Sequence, residues 1–347
     1  MRKKIIALLI GALTLSLLTS SCKKTEEIEY QDSWQTINEF IYYLMHDYYL
    51  HYNTVPNYKT MTQFESPTEA LDALMNKTLD SWSFVVNLKV LNDDYYSKAA
   101  VAYGFNLTLD SDDKIVVNYV EKGSSAERAG ITRGFTINSI NDYTVKEIKD
   151  FSVISPTSPG ETIRLNVTSP KGYTSLITLS ANELTTQTVP LYKTVTDKDN
   201  NKLGYILINS FVEDTPKKID EAFNYFSQQN VKGLIVDLRY NGGGLVSGAE
   251  YLANAVIPSS YNNSVMFRYQ YNDKHSDLNA YTYFNKTNAL SFNKIFVITT
   301  GETASASELF INVLKPYINV VQIGETSHGK PVGMNIFEYG DYAIAPI

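Results

Sequence analysis

The chain has 347 residues, 44% of them hydrophobic and 12% aromatic, which is enough apolar material for the cores of two or three globular domains. Its formal net charge of −7 disfavours a nucleic-acid-binding protein, because such proteins carry basic surfaces that neutralise phosphate groups. Beyond its first few residues the sequence has no basic run that would change this conclusion.

Residues 1–22 have the pattern of a secretory signal peptide. The basic start "MRKK" precedes the apolar run 5–18, which is short for a bilayer span and typical of the apolar core of such a signal. The run ends in "LTSSC", and Cys22 is the only cysteine, so it cannot form an internal disulfide. This ending resembles a bacterial lipoprotein cleavage site. It predicts export, lipidation of Cys22 and attachment to a membrane of the cell envelope, at the outer membrane or the periplasmic face. Plain secretion is the alternative.

Residues 23–95 are predicted to form a polar tether followed by a mostly helical region. The helical part has apolar residues at helical spacing, namely Ile37, Phe40, Ile41 and Leu44. The many Tyr and His side chains of residues 42–52 suggest either a ligand cage or the half-buried faces of a packed helix. We favour the packed helix.

Residues 96–190 are predicted to form a β-rich domain, because short β-branched runs alternate with turn residues. The segment "GSSAERAGITRGFTINSIND" at 123–142 resembles PDZ domains, and "YGFNL" at 103–107 resembles their carboxylate-binding loop. In that family the C-terminus of a peptide adds as a strand to the sheet edge, and N–H groups of the loop hold its carboxylate. The resemblance implies a peptide-binding role for Gly104, Phe105, Asn106 and Leu107.

Residues 195–347 alternate between strands and helices. Apolar runs such as "VKGLIVDLR" and "KIFVITT" indicate buried strands, and amphipathic segments between them indicate helices. This alternation is typical of a sheet covered on both faces. Three turns that follow such strands carry candidate chemistry, namely "DLRYNGGG" (237–244), "TASASE" (303–308) and "GETSHGK" (324–330). The predicted fold is therefore an α/β (α+β) multidomain chain.

The stretch "GETSHGK" formally matches the G-x-x-x-x-G-K pattern of a P-loop. The residue after the lysine should be the Ser or Thr that binds magnesium, but it is Pro331. The segment that follows also lacks the pattern of the helix whose N-terminus would hold phosphate groups. We therefore reject a nucleotide-binding function.

Together, the three turns and the PDZ-like segment resemble the C-terminal processing peptidases, or tail-specific proteases, of serine peptidase family S41. The resemblance implies a ClpP/crotonase-like catalytic core in residues 195–347, with Ser305 as the nucleophile and Lys330 as the base. It implies an oxyanion hole formed by the backbone N–H groups of Gly244 and Ala306, and a supporting carboxylate at Glu308. On the turn alone, Ser305 would be interpreted as a helix N-cap.

The chemistry of such a pair sets a physical condition on Lys330. A serine hydroxyl becomes a good nucleophile when a nearby base takes its proton, and a lysine can do so only as the neutral amine. Its pKa must fall from about 10.4 toward 7 to 8, which burial among apolar groups can cause. His328 is the rival base, because positions two apart in an extended segment face the same side; we assign it to the wall of the cleft. The reaction requires no metal or cofactor.

The sequence differs from the family pattern near its C-terminus. Met334 stands where a glutamine is often found, so a polar partner that would orient the amine is either missing or comes from elsewhere. Pro316 stands where some members carry an acidic residue. Because the chain stops at Ile347, we expect the C-terminal part of the catalytic core to be missing and the last strand to leave an open edge.

The sequence thus predicts an envelope-anchored serine endopeptidase with a Ser/Lys dyad. Its predicted substrates are polypeptides recognised by their C-terminal tails through the PDZ-like domain, and its other predicted partner is the membrane that holds the lipid anchor. The alternative is a catalytically silent lipoprotein of the same fold that binds peptides.

Overall fold

The structure is a computed structural model that describes residues 36–95, 99–110, 112, 114–144, 147, 154–185 and 187–347. The described part contains seven α-helices and eighteen β-strands. The predicted signal peptide, the tether up to residue 35 and Cys22 lie outside it. Among the described helices, none combines the length and apolar character needed to span a bilayer.

The first region is mainly helical, as predicted, and it ends with a short strand. Its elements are α1 (Ile37–Asp47), α2 (Pro67–Leu74), β1 (Phe84–Asn87) and α3 (Leu88–Tyr95). A capping box begins α1, in which the Thr36 hydroxyl accepts from the Glu39 N–H and the Glu39 carboxylate accepts from the Thr36 N–H, both at 3.2 Å. The tyrosines that follow α1 are buried or half-buried, which confirms the packed-helix interpretation of residues 42–52.

The second region is the β-rich domain. Its elements are β2 (Ala99–Ala102), β3 (Phe105–Leu109), β4 (Ile115–Val120), α4 (Ser125–Arg128), β5 (Thr136–Ile140), β6 (Tyr143–Thr144), β7 (Thr162–Thr168), β8 (Thr174–Ser180) and β9 (Asn182–Thr185). The main sheet has the order β3-β4-β5-β7-β8, with β6 paired to β5, and β2 pairs separately with β9. Within the described residues β3 has a single partner strand, so it lies at the sheet edge.

The third region contains the sheet that carries the candidate chemistry. Its elements are β10 (Leu191–Thr196), β11 (Lys202–Leu207), α5 (Thr215–Gln228), β12 (Gly233–Asp237), α6 (Val246–Val256), β13 (Val265–Tyr269), β14 (Ala280–Tyr283), β15 (Lys294–Thr299), α7 (Ala306–Leu314) and β16 (Asn319–Gly324). The sheet order is β10-β11-β12-β15-β16, and all neighbours are parallel except the edge strand β10. The carboxyl ends of β12, β15 and β16 therefore meet at one edge, where the three predicted turns follow them.

The last two strands, β17 (Phe337–Tyr339) and β18 (Tyr342–Ala345), correct one expectation. We predicted that the final strand would leave an open edge, but β18 lies in the middle of a sheet ordered β1-β18-β17. The prediction was wrong because β1 comes from the distant N-terminal region, and no local pattern reports such a pairing. The chain end is held as well, since the Ile347 N–H donates to the Ser83 hydroxyl at 3.0 Å.

Candidate active site

Ser305 lies in the turn between β15 and α7 with an unusual backbone conformation. Its φ of 55° and ψ of −116° differ from the extended conformation typical of N-cap residues. A positive φ is uncommon for a residue other than glycine, and such strain persists where the surrounding structure enforces it. Ser305 is the N-cap residue of α7 and forms a capping box with Glu308, but its backbone conformation is not that of an ordinary N-cap.

Two buried polar residues hold the serine turn in place. The Thr303 hydroxyl donates to the Leu238 carbonyl at 2.8 Å. The Asn241 carbonyl accepts from the Ala304 N–H at 3.2 Å and from the Ser307 hydroxyl at 3.0 Å. Thr303 and Asn241 were not predicted as site residues, although both lie inside two of the three turns that carry the candidate chemistry. For Asn241 the available signal was its position directly before the three glycines 242–244, in the turn that follows the buried strand β12.

The glycine loop that follows β12 packs against Ser305. A Cβ added to Gly243, whose φ is 113°, would lie 2.8 Å from the Cβ of Ser305. A Cβ added to Gly244, whose φ is 121°, would lie 2.1 Å from the Phe211 carbonyl oxygen. The close approach of the loop therefore requires glycine at both positions. Gly243 faces Ser305 directly, and this contact was not predicted from the sequence.

The two predicted oxyanion donors flank this contact. Ala306 is the first residue of α7, so its N–H has no acceptor within the helix. The Phe211 N–H donates to the Gly243 carbonyl, and the Leu245 N–H donates to the Phe211 carbonyl. These two hydrogen bonds do not use the Gly244 N–H. The role of the Ala306 and Gly244 N–H groups in an oxyanion hole stays a prediction.

The Glu308 carboxylate connects the serine turn to the lysine loop. Oε2 accepts from the Ser305 N–H at 2.9 Å and from the Lys330 N–H at 3.0 Å. Oε1 accepts from the Ser327 hydroxyl and from the Gly329 N–H, both at 2.7 Å. Burial alone would raise the pKa of Glu308, but these four hydrogen bonds outweigh it and hold the pKa below its ordinary value.

Lys330 lies on the loop between β16 and β17. Burial lowers the pKa of its amine below the ordinary value, and the negative charges of Asp80 and Glu308 oppose this shift without cancelling it. This is the desolvation that a lysine base requires. The amine contacts the Met334 thioether sulfur at 3.8 Å, which is a weak acceptor in the place of the expected polar partner.

Ser305 and Lys330 line one cavity of about 550 Å³. Most of its other walls are apolar side chains from α6, β13, α7 and the C-terminal segment, including Val246, Phe267, Leu309, Val332, Met334 and Ile347. His328 is exposed and does not line the cavity, contrary to our expectation of a wall role. Across the part of the chain that the structure describes, no group of three or more His, Cys, Asp or Glu side chains could hold a metal ion.

The predicted peptide-binding loop lies at the edge of the β-rich domain. Gly104 has a φ of 86°, and a Cβ there would lie 2.0 Å from the Cβ of Ser124, so the loop needs glycine at this position. Phe105, Asn106 and Leu107 begin the edge strand β3. Among the described residues β3 pairs only with β4, and peptide binding at its other edge stays a prediction.

Comparisons with known families agree with this architecture. The model described as "Peptidase family S41" matches residues 202–345, and "Peptidase S41 N-terminal domain" matches residues 36–84. A "PDZ domain" model matches residues 101–168. The two S41 models together match more than half of the chain. The domain order and the turns at the sheet edge define a PDZ-containing α/β protein of the serine peptidase class. The chain belongs to peptidase family S41, as its resemblance implied.

Relatives and solved structures support the assignment. The chain is 28% identical over 234 residues to the carboxy-terminal processing protease CtpA of Bacillus subtilis (strain 168), covering 67% of this chain and 48% of that protein. It is 28% identical over 228 residues to the carboxyl-terminal-processing protease of Picosynechococcus sp., covering 64% of this chain and 52% of that protein. The chain thus spans about half the length of these curated relatives.

Two solved structures share the fold. A protein described as an S41 protease from Bacteroides fragilis NCTC 9343 superposes with a TM-score of 0.73 at 24% identity, covering 92% of this chain and 86% of that one. The photosystem II D1 C-terminal processing protease superposes with a TM-score of 0.55 at 19% identity, covering 89% and 86%. The predicted multidomain α/β fold with a PDZ-like domain is confirmed.

Proposed function

We propose that this protein is a serine endopeptidase that uses Ser305 as the nucleophile and Lys330 as the general base. The observation that carries the proposal is the shared Glu308 oxygen, which accepts from the N–H groups of both residues and joins their two loops. The lowered pKa of Lys330 and the strained backbone of Ser305 agree with these roles.

The proposed reaction proceeds through an acyl-enzyme. Neutral Lys330 takes the proton from the Ser305 hydroxyl, whose oxygen attacks the carbonyl carbon of the scissile peptide bond. The N–H groups of Ala306 and Gly244 stabilise the oxyanion, and each such donor contributes about 3 to 4 kcal/mol in comparable sites. Lys330 then protonates the leaving amine as the C–N bond breaks, and a water molecule activated by the same amine hydrolyses the ester.

The proposed substrates are polypeptides presented by their C-terminal tails. The relatives named above are called C-terminal processing proteases, and the edge position of β3 beside Gly104 suits the addition of a peptide strand. The apolar walls of the 550 Å³ cavity favour apolar side chains next to the scissile bond.

The test of catalysis compares the full chain with its Ser305→Ala form on an unfolded protein that carries an apolar C-terminal tail. The wild type should cleave, and Ser305→Ala should lose cleavage while still binding the tail. Lys315→Ala, a change of an exposed lysine directly after α7, serves as the matched control and should cleave normally. A wild-type protein that binds the tail without cleaving it would support the silent lipoprotein instead.

We also propose that the protein is an exported lipoprotein anchored through Cys22, on the basis of the signal-like sequence alone. Cells fed a clickable fatty acid should label the wild-type protein, and Cys22→Ala should lose both the label and its place in the membrane fraction. Equal labelling of the two forms would contradict the anchor.

A further inference from the structure

Two segments of the chain border the cavity that holds Ser305 and Lys330. Residues 267–272 line it from the end of β13, and residues 330–335 line it from the loop that leads to β17, without a gap in either run. Side chains along an extended chain point alternately to opposite sides, so an unbroken run of lining residues indicates that the main chain itself borders the cavity. The Asn335 amide donates to the Tyr271 hydroxyl at 3.4 Å, which joins the two segments.

Residues 331–336 have the exposure pattern of a strand, in which exposed and half-buried residues alternate. The exposed residues are Pro331, Gly333 and Asn335, and the half-buried ones are Val332, Met334 and Ile336. The segment runs directly into β17, which pairs only with β18 among the described residues. It therefore extends from the edge strand of that sheet, and an edge strand can accept a further strand.

Gly333 lies in the middle of this segment with its main chain free. Its N–H and its carbonyl take part in no hydrogen bond within the part of the chain that the structure describes. Gly333 is exposed, and because glycine has no side chain, this exposed surface belongs to the main chain. The N–H groups of Gly329 and Lys330, by contrast, are already committed to Glu308.

The packing and conformation of the chain do not require glycine at position 333. Unlike Gly243 and Gly244, Gly333 does not have a positive φ. A Cβ added to it would meet no atom within 4 Å. The open main chain beside the candidate nucleophile is therefore suited to the close approach of another main chain.

The opposite wall of the cavity is also a strand with a free edge. Among the described residues β13 pairs only with β14, and residues 267–269 of β13 belong to the lining. An extended peptide in the cavity would thus lie between two strand edges. The apolar side chains of Phe267, Leu309 and Val332 line the same space and can receive side chains of the peptide.

We propose that the main chain of Gly333 binds the main chain of the substrate, with its N–H donating to a substrate carbonyl and its carbonyl accepting from a substrate N–H. The proposal rests on the proposed function. It defines the substrates as polypeptides that are unfolded around the scissile bond, because main-chain groups within a helix or a sheet are already paired. Main-chain hydrogen bonds of an added strand supply affinity, and pockets for alternate side chains supply specificity. The cavity should therefore select side chains at every second substrate position.

Two substitutions at Gly333 isolate the hydrogen bond in the full chain carrying Ser305→Ala, which prevents turnover. Gly333→Pro removes the N–H, whereas Gly333→Ala keeps it and its Cβ meets no atom within 4 Å. The probe is a short fluorescent apolar peptide with an amidated C-terminus, so the predicted carboxylate-binding loop 103–107 does not hold it. Gly333→Pro should bind the probe about tenfold more weakly than Gly333→Ala, because the substrate carbonyl loses its donor. Equal dissociation constants would overturn the proposal.

Methylated peptides apply the same test without changing Gly333. The probe carries an N-methyl group on one main-chain nitrogen at a time and is titrated against the full chain with Ser305→Ala. Methylation of the nitrogen that faces the Gly333 carbonyl should weaken binding about tenfold. If Gly333→Pro does not fold, unchanged binding of every methylated peptide would still overturn the proposal.

Cleavage by the chain with Ser305 intact separates this proposal from the proposed function. Gly333→Pro should have a lower kcat/KM than Gly333→Ala, mainly through a higher KM. If the wild type cleaves and the two variants bind the probe equally, the role of Gly333 fails and the proposed function stands. If the variants differ in binding while the wild type cleaves nothing, the proposed function fails and the peptide-binding role of Gly333 stands.

Discussion

The Glu308 carboxylate and the Lys330 amine are the two groups that shape the candidate active site at the residue scale. The carboxylate fixes the backbones of the serine turn and the lysine loop relative to each other, since one oxygen accepts from both. Burial lowers the pKa of Lys330 even against the charges of Asp80 and Glu308, so its neutral form becomes available at lower pH than in a free lysine.

The rate of peptide hydrolysis should therefore rise with pH through an apparent pKa below the ordinary lysine value of 10.5, because only the neutral amine acts as a base. Lys330→Ala and Lys330→Arg should each lower kcat/KM at least about 100-fold. The arginine variant fails because a guanidinium stays protonated. A fluorogenic peptide measured across the pH range gives the profile.

His328→Ala is the control for this prediction. The His328 backbone N–H donates to the Thr303 carbonyl at 2.9 Å, and the substitution keeps that bond while removing an exposed ring. The variant should retain activity and the same pH midpoint. An active Lys330→Ala beside an inactive His328→Ala would show that histidine is the base.

At the scale of elements, the glycine loop after β12 is shaped by its contacts. Gly243 faces Ser305 and Gly244 faces Phe211, both with positive φ, while the buried side chain of Asn241 accepts from the Gly243 N–H at 2.9 Å. The loop, the serine turn and the start of α7 thus form one packed unit.

Gly243→Ala should displace either the loop or Ser305, because its Cβ would approach the Ser305 Cβ to 2.8 Å in a strained conformation. A misplacement of about 1 Å can cost about 100-fold in rate, so kcat should fall by that order. Gly242→Ala is the matched control in the same loop, since its Cβ meets nothing closer than 4.0 Å. Equal activity of the two variants would argue against the packed unit.

A second contact between elements joins the PDZ-like domain to this loop. The Arg133 guanidinium donates to the Tyr240 hydroxyl, and the rings of Tyr119 and Tyr240 lie 5.7 Å apart. Glu121 lies at the same junction beside the Tyr119 hydroxyl and accepts a backbone hydrogen bond from Gln187. Burial raises the pKa of Glu121 to about 7 against these hydrogen bonds.

This shift predicts a pH-dependent junction. The pKa of Glu121 in the folded protein is higher than its ordinary value of 4.5, so folding favours the protonated side chain. The stability that Glu121 contributes is therefore fully present below pH 4.5 and is lost as the pH rises through about 7. Glu121→Gln imitates the protonated form and should remove this part of the pH dependence. Denaturant unfolding on both sides of neutral pH measures it, and identical pH dependence of the two proteins would contradict the prediction.

At the scale of the whole molecule, two pairings organise the chain. β18 joins the C-terminal segment to β1 of the N-terminal region. The β2–β9 pair places Ala99 opposite Thr185, so the PDZ-like domain leaves and re-enters the rest of the chain at one place. The domain is thus an insertion, and its removal would leave two chain ends that lie next to each other.

Deletion of residues 100–185 should therefore impair cleavage of tailed proteins much more than cleavage of short peptides. The comparison is the ratio of kcat/KM for the two substrates in the deletion variant and the wild type. Equal loss on both substrates would mean that the domain supports the catalytic core, through contacts such as that of Arg133 with Tyr240, rather than selecting substrate.

The helical start, the β-rich domain and the strand–helix alternation could be predicted from the sequence, because they depend on periodicity and turns within short windows. The sequence also identified Ser305, Lys330 and Glu308, which lie in compact motifs at strand ends. In the structure one oxygen of Glu308 accepts from the backbone N–H groups of both Ser305 and Lys330, and the catalytic roles of the three residues stay predictions.

The contacts that join distant parts of the chain could not be predicted from the sequence and are visible only in the fold. β1 completes the sheet of β18, and the carbonyl of Asn241 holds the serine turn. Each depends on residues far apart in sequence, where no local pattern can report a contact.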